Sequence, residues 1–135
     1  MKYLLDTNAW LRTVGRLSEL NAVTQTMLAD QVNAPFALSA ISVWEVCTKF
    51  RKKPAELSIT LPLNDWLAIA LQPKFVQIIS VDAEIARLSN ELPTPIHEDR
   101  ADRMNVATAR RDGFQLVTSD EKLINYPHVQ TLDTR

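Results

Sequence analysis

Apolar positions along this chain keep two rhythms. Short runs rich in Leu, Val and Ile (KYLL, FALS, FVQIIS, QLVTS and HVQTL) have the length and composition of strands. Between them lie stretches with apolar residues three and four apart: one running through Leu11, then ELNAVTQTMLADQ, VWEVCTKFRK, NDWLAIAL, DAEIARLSNEL and ADRMNVATARRDG. That spacing predicts helices with one buried face. Strands alternating with helices predict βαβ units, and so an α/β fold with a mainly parallel sheet and helices on both faces.

The punctuation fits this layout. Ser18 and Asp82 stand where helices would begin, Gly113 where one would end before QLVTS, and Pro93 and Pro95 stiffen the loop after DAEIARLSNEL. A parallel sheet aligns the carboxyl ends of its strands along one edge, and ligands of open α/β sheets bind at that edge.

Composition narrows the class. With 135 residues, 46% hydrophobic and 23% charged, the chain is expected to form one domain, residues 1–135, around a single core. A formal net charge of −1 gives no global pull toward nucleic acid or anionic lipid, so any such contact must be local. Cys47 has no partner cysteine, and no apolar run reaches the roughly 20 residues of a membrane span. The N-terminus lacks a signal-peptide layout, so a cytoplasmic protein is expected. Two glycines leave no GxGxxG and no phosphate loop.

Acids recur where strands end. Asp6 closes KYLL, Asp120 follows QLVTS, and Glu45 lies about a turn into the helix leaving FALS if that helix starts near Ser42. Asp102 sits near the start of the helix that carries Met104, Val106, Ala107 and Ala109. Each has a plainer use. Asp6 and Asp120 can cap helices, Asp102 can answer a helix dipole, and Glu45 can pair with Lys49 one turn on. The residues Val43, Trp44, Val46 and Cys47 around Glu45 predict a largely buried segment, which weakens the surface-pair reading.

Four carboxylates on one rim repel one another, and must gain protons, separate or bind a cation. An all-oxygen donor set suits Mg²⁺ or Mn²⁺, ions that are readily completed by phosphate. His97 and His128 lack paired zinc-ligand spacing and are expected to be ordinary loop residues. No nucleophile elbow supports a Ser-His-Asp triad. The pattern favours metal-assisted chemistry on a phosphate ester.

In order, LLDTNAWL, SAISVWEVCTK, HEDRADRMNVATA and LVTSDEKL resemble the PIN domain, and within it the VapC-type toxins of the PilT N-terminus-like group. The resemblance spans essentially the whole chain. It implies a three-layer α/β/α sandwich and an endoribonuclease dependent on Mg²⁺ or Mn²⁺. The family's acidic quartet falls on Asp6, Glu45, Asp102 and Asp120. Asp99 matches an additional acid, Thr7 and Asn8 the polar pair after the first Asp, and Thr118 and Ser119 the hydroxyls before the last. Lys49 fits a recurrent basic position. Many relatives read Asp-Pro-Phe-Asp-Arg where this chain has Asp99-Arg100-Ala101-Asp102-Arg103, a change to the loop that leaves both acids in place.

The implied reaction is hydrolysis of a phosphodiester by water that one or two ions make acidic, with the base unassigned. RNA contact would come from Lys49, Arg51, Lys52 and Lys53, or from Arg100, Arg103, Arg110 and Arg111; either set also reads as a solvated helix face. The resemblance further implies a small VapB-type antitoxin whose C-terminal segment fills the acidic groove. It also implies a homodimer, for which LAIAL and Trp66 are candidates, although core packing is their plainer use.

Rival classes fit less well. A phospho-accepting receiver domain wants an acid ending the central strand and a Lys on the last, but FVQIIS has no acid before Asp82 and HVQTL has no Lys. A haloacid-dehalogenase phosphatase wants an acid where Asn8 stands. A PIN-like processing nuclease outside a toxin–antitoxin pair stays open. So does a PIN-like module that binds RNA or a partner without cutting, although the complete quartet argues against it.

Overall fold

A computed structural model describes residues 1–135. Five strands, β1 (Tyr3–Leu5), β2 (Phe36–Ser39), β3 (Val76–Ile79), β4 (Gln115–Thr118) and β5 (Thr131–Asp133), form one sheet in the order β3-β2-β1-β4-β5. Every pairing is parallel. The helices are α1 (Thr7–Gly15), α2 (Ala22–Ala29), α3 (Ala40–Lys52), α4 (Leu63–Ala70), α5 (Ala83–Leu88), α6 (Arg100–Asp112) and α7 (Glu121–Ile124).

Strand periodicity sorts the side chains into two cores. Leu5, Phe36, Leu38 and Val117 face one side, where they meet Ala9 and Trp10 of α1, Met27 of α2, Val46 of α3 and Trp66 of α4. Leu4, Ala37 and Leu116 face the other, against Val106, Ala107 and Ala109 of α6 and Leu123 of α7. Both faces of the central strand are therefore sealed: Leu4 and Leu5 are fully buried. This is the three-layer α/β/α sandwich with a parallel sheet.

Local expectations hold in most places and shift in a few. Asp82 caps α5, accepting from Ile85 N–H at 2.9 Å. Gly113 ends α6 with φ 73°, a left-handed conformation that glycine adopts without a Cβ clash. The cap of α2 is Asn21, which accepts from Thr24 N–H, whereas Ser18 lies in a 3₁₀ turn, Leu17–Glu19. Helix α3 starts at Ala40 rather than near Ser42, because the Ser39 hydroxyl already accepts from Ile41 N–H. The last strand covers Thr131–Asp133, further along than HVQTL suggested.

Chain order places the cleft. From β1 the sheet grows one way to β2 and β3, then turns back to add β4 on the other side of β1. Helix α1, leaving β1, packs in one core, and α7, leaving β4, packs in the other. The helices diverge from adjacent strand ends and leave a crevice at the switch point, where such sheets bind ligands.

Candidate active site

Asp6 is the first residue beyond β1, and its backbone still belongs to the sheet: its N–H donates to Val117 O at 3.1 Å. Its Oδ1 accepts from Ala9 N–H at 2.8 Å and caps α1. It is only 6% exposed, and burial pushes its carboxyl up to about 6. The Thr118 hydroxyl, Ala9 N–H and the Arg12 guanidinium pull it down, while Asp120 pushes it further up. A carboxylate that costs so much to ionise is one that a cation would stabilise strongly.

The other acids converge from separate elements. Asp120 follows β4 and caps α7, accepting from Lys122 N–H at 2.9 Å. Asp99 caps α6 by accepting from Asp102 N–H at 2.9 Å, and so fixes the turn on which Asp102 stands. Burial raises the Asp102 carboxyl to about 7; Asp99 and Asp120 add to the rise and His97 opposes it. Glu45, on the second turn of α3, hydrogen-bonds the Thr7 hydroxyl, which also lies 2.9 Å from the Ser42 hydroxyl. Burial raises Glu45 as well, with Asp99 adding to the effect. Lys49 does not pair with Glu45; its ammonium is 3.9 Å from Glu56.

Asp6, Asn8, Glu45, Asp99, Asp102 and Asp120 all line one cleft of about 420 Å³. At Asp6 and Asp120 the helix cap occupies Oδ1, and both residues also line the cleft. Thr118 is fully buried, so it cannot reach a substrate; its hydroxyl accepts from Asp120 N–H at 3.0 Å and eases the charge of Asp6. Ser119 accepts from Arg12 at 2.9 Å. Arg12 is a site neighbour that sequence reasoning passed over, because two helical turns separate it from Asp6.

His97 is the larger omission. It was expected to be an ordinary loop residue, yet its Nε2 lies 2.7 Å from Asp102 Oδ2. Donor atoms of His97, Asp102 and Asp120 all lie within 4.8 Å of one another, close enough to share one ion. That set of two carboxylates and one imidazole, with Asp6, Glu45 and Asp99 lining the same cleft, fits a divalent cation such as Mn²⁺ or Mg²⁺.

The basic residues divide. Lys49, Lys52 and Lys53 line the cleft, while Arg51 does not. Arg103 was a candidate for RNA, but its guanidinium donates to Ser89 O at 2.9 Å and His97 O at 3.3 Å, and it holds the loop that carries His97. Arg110 donates to His128 O, and Arg111 is tied to Asp82 and Asp112. Trp44 was expected to be buried and is 53% exposed at the rim of the cleft. Trp66, a candidate for a dimer surface, is buried with its ring 5.0 Å from that of Trp10.

Known proteins resemble this chain in sequence and in fold. Over 92 residues, 68% of each chain, the sequence is 30% identical to Ribonuclease VapC22 of Mycobacterium tuberculosis. The fold matches the solved structure of VapBC2 from Rickettsia felis bound to promoter DNA, with TM-score 0.72, 20% identity and full coverage of both chains. It also matches DNA-bound VapBC from Salmonella typhimurium, with TM-score 0.67, 17% identity and 98% of each chain covered. At those identities the structural likeness is one of fold. The PIN domain model matches residues 3–129, and the chain belongs to the PIN domain family.

Proposed function

We propose that this chain is an endoribonuclease of the VapC kind, dependent on Mg²⁺ or Mn²⁺, and the toxin of a toxin–antitoxin pair. The observation that carries the reading is the convergence of Asp6, Glu45, Asp102 and Asp120 from four separate elements onto one cleft at the carboxyl edge of the sheet. The ribonuclease relative and the toxin–antitoxin structures of like fold support the RNA substrate and the antitoxin partner.

A divalent ion at such a site lowers the pKa of water and neutralises charge on phosphate oxygens. The chain's own groups do the rest. Asp6, Glu45, Asp102 and Asp120 would hold the ion or ions. Ala9 N–H and Thr118 fix Asp6, Thr7 fixes Glu45, and Asp99 fixes the backbone under Asp102. The acidic floor also suits the basic side chains of an antitoxin segment.

The test is cleavage of a cellular RNA pool by wild type and Asp6→Asn with Mg²⁺, Mn²⁺ or EDTA. Defined cuts by wild type with metal alone are expected. Equal cutting by Asp6→Asn at limiting Mg²⁺ overturns the mechanism, and metal binding without any cutting leaves a non-catalytic PIN module.

A further inference from the structure

A large aromatic ring in water is costly unless something covers it in use. Trp44 is 53% exposed, whereas Trp10 and Trp66 are 0% and 7% exposed. It precedes Glu45 on α3, and both residues line the same cleft. Helical periodicity puts Trp44, Thr48 and Lys52 on one stripe, four residues apart, and all three line the cleft. At 1.5 Å per residue that stripe extends about 12 Å. Lys49 and Lys53 lie alongside it.

We propose that Trp44 is the stacking platform for an unpaired base of the RNA, with Lys49, Lys52 and Lys53 holding the backbone of the same strand. The proposal rests on the ribonuclease reading and names the form of substrate the cleft takes: single-stranded RNA with at least one base free to unstack. Charge complementarity favours this occupant. The ring is flanked by Thr48 and lysines rather than by a continuous apolar patch, because Leu11, Val46 and Leu57 of the same cleft are buried. Every base offers a π-face, and an aromatic platform beside cations binds single strands with little sequence preference. A protein interface would use the ring within a wider apolar surface.

The experiment follows cleavage of a labelled single-stranded RNA in Mn²⁺ by wild type, Trp44→Ala and Trp44→Phe, with stopped-flow tryptophan emission recorded before cleavage. Trp10 and Trp66 are kept in Trp44→Ala, so an emission change present in wild type and absent from that variant reports Trp44. Wild type is expected to be quenched. Trp44→Ala should raise KM between about 5-fold and about 150-fold with little change in kcat, the range expected for losing one stacked base, while Trp44→Phe keeps most of the affinity. Unchanged far-UV circular dichroism would show both variants folded. A wild-type KM in Trp44→Ala overturns the proposal and leaves the ribonuclease reading intact. So does an unchanged KM with a smaller mass in solution, which would assign the ring to contact between copies of this chain. If wild type neither cuts nor is quenched, the ribonuclease reading falls and this platform falls with it.

Discussion

His97 Nε2 lies 2.7 Å from Asp102 Oδ2, and the backbone that carries His97 is held by Arg103, one residue beyond Asp102. The imidazole contacts the acid directly, and the guanidinium acts one step removed by holding the loop that carries the imidazole. Partners that orient a metal-binding carboxylate commonly contribute 10- to 100-fold to metal affinity. His97→Gln is expected to weaken Mn²⁺ binding by about that factor while the protein stays folded, read by titration calorimetry with far-UV circular dichroism as the control. Unchanged Mn²⁺ affinity would return His97 to the loop.

The same relationship shows what could and could not be read from the sequence. Strand and helix rhythm gave the sheet, because burial of Leu4 on one face and Leu5 on the other leaves a strand no alternative to a covered position. The four acids were legible because each stands just past a strand or on the first turns of a helix. His97 was not, since its use depends on a loop folding back over α6, a contact that no spacing rule encodes. Trp44 was misjudged because its neighbours along α3 are apolar, while exposure is decided by the helix face and by the open cleft beneath it. Cap and cleft are not alternatives at Asp6: Oδ1 caps α1 while the residue lines the cleft.

Acidity should govern stability in a direction opposite to that of an ion-paired acid. Asp6 and Asp102 titrate near 6 and 7 in the fold, against 3.8 for the unfolded carboxyl. Between those values the folded state holds more protons than the unfolded one. The resulting stabilisation is therefore complete below about pH 4 and is lost as pH rises through 6 and 7. For Asp6 alone the loss is on the order of 3 kcal/mol. Urea melts in EDTA should show stability falling from pH 5 to pH 8 on this account, and Mg²⁺ or Mn²⁺ should flatten the fall. A flat profile without metal would mean that these carboxyls are not held above their usual range.

Asp6→Asn should separate stability from function. The amide oxygen can still accept from Ala9 N–H, so the cap of α1 is kept, while the buried charge is gone. In EDTA at pH 8 the variant is expected to be more stable than wild type by about 1–3 kcal/mol. In Mn²⁺ the order should reverse, because wild type alone gains binding energy from the ion. A variant less stable than wild type under both conditions would show that Asp6 contributes a structural interaction beyond its cap.

Lys52 and Arg103 make opposite predictions although both were candidates for RNA. Lys52 lines the cleft with its charge free, whereas the Arg103 side chain is 16% exposed and donates to two backbone carbonyls. Each phosphate contact on a single strand contributes about 0.7 to the slope of log affinity against log salt. Lys52→Glu should therefore lower RNA affinity and reduce that slope by about 0.7 or more, with the melting temperature nearly unchanged. Arg103→Met should leave the slope alone. It strands the Ser89 and His97 carbonyls, at a cost of about 1–3 kcal/mol in stability, and frees the loop that orients Asp102. Its loss of cleavage should then follow Mn²⁺ affinity rather than RNA affinity. Should Arg103→Met change the salt slope instead, the guanidinium reaches RNA and its bonds to the loop give way when the strand binds.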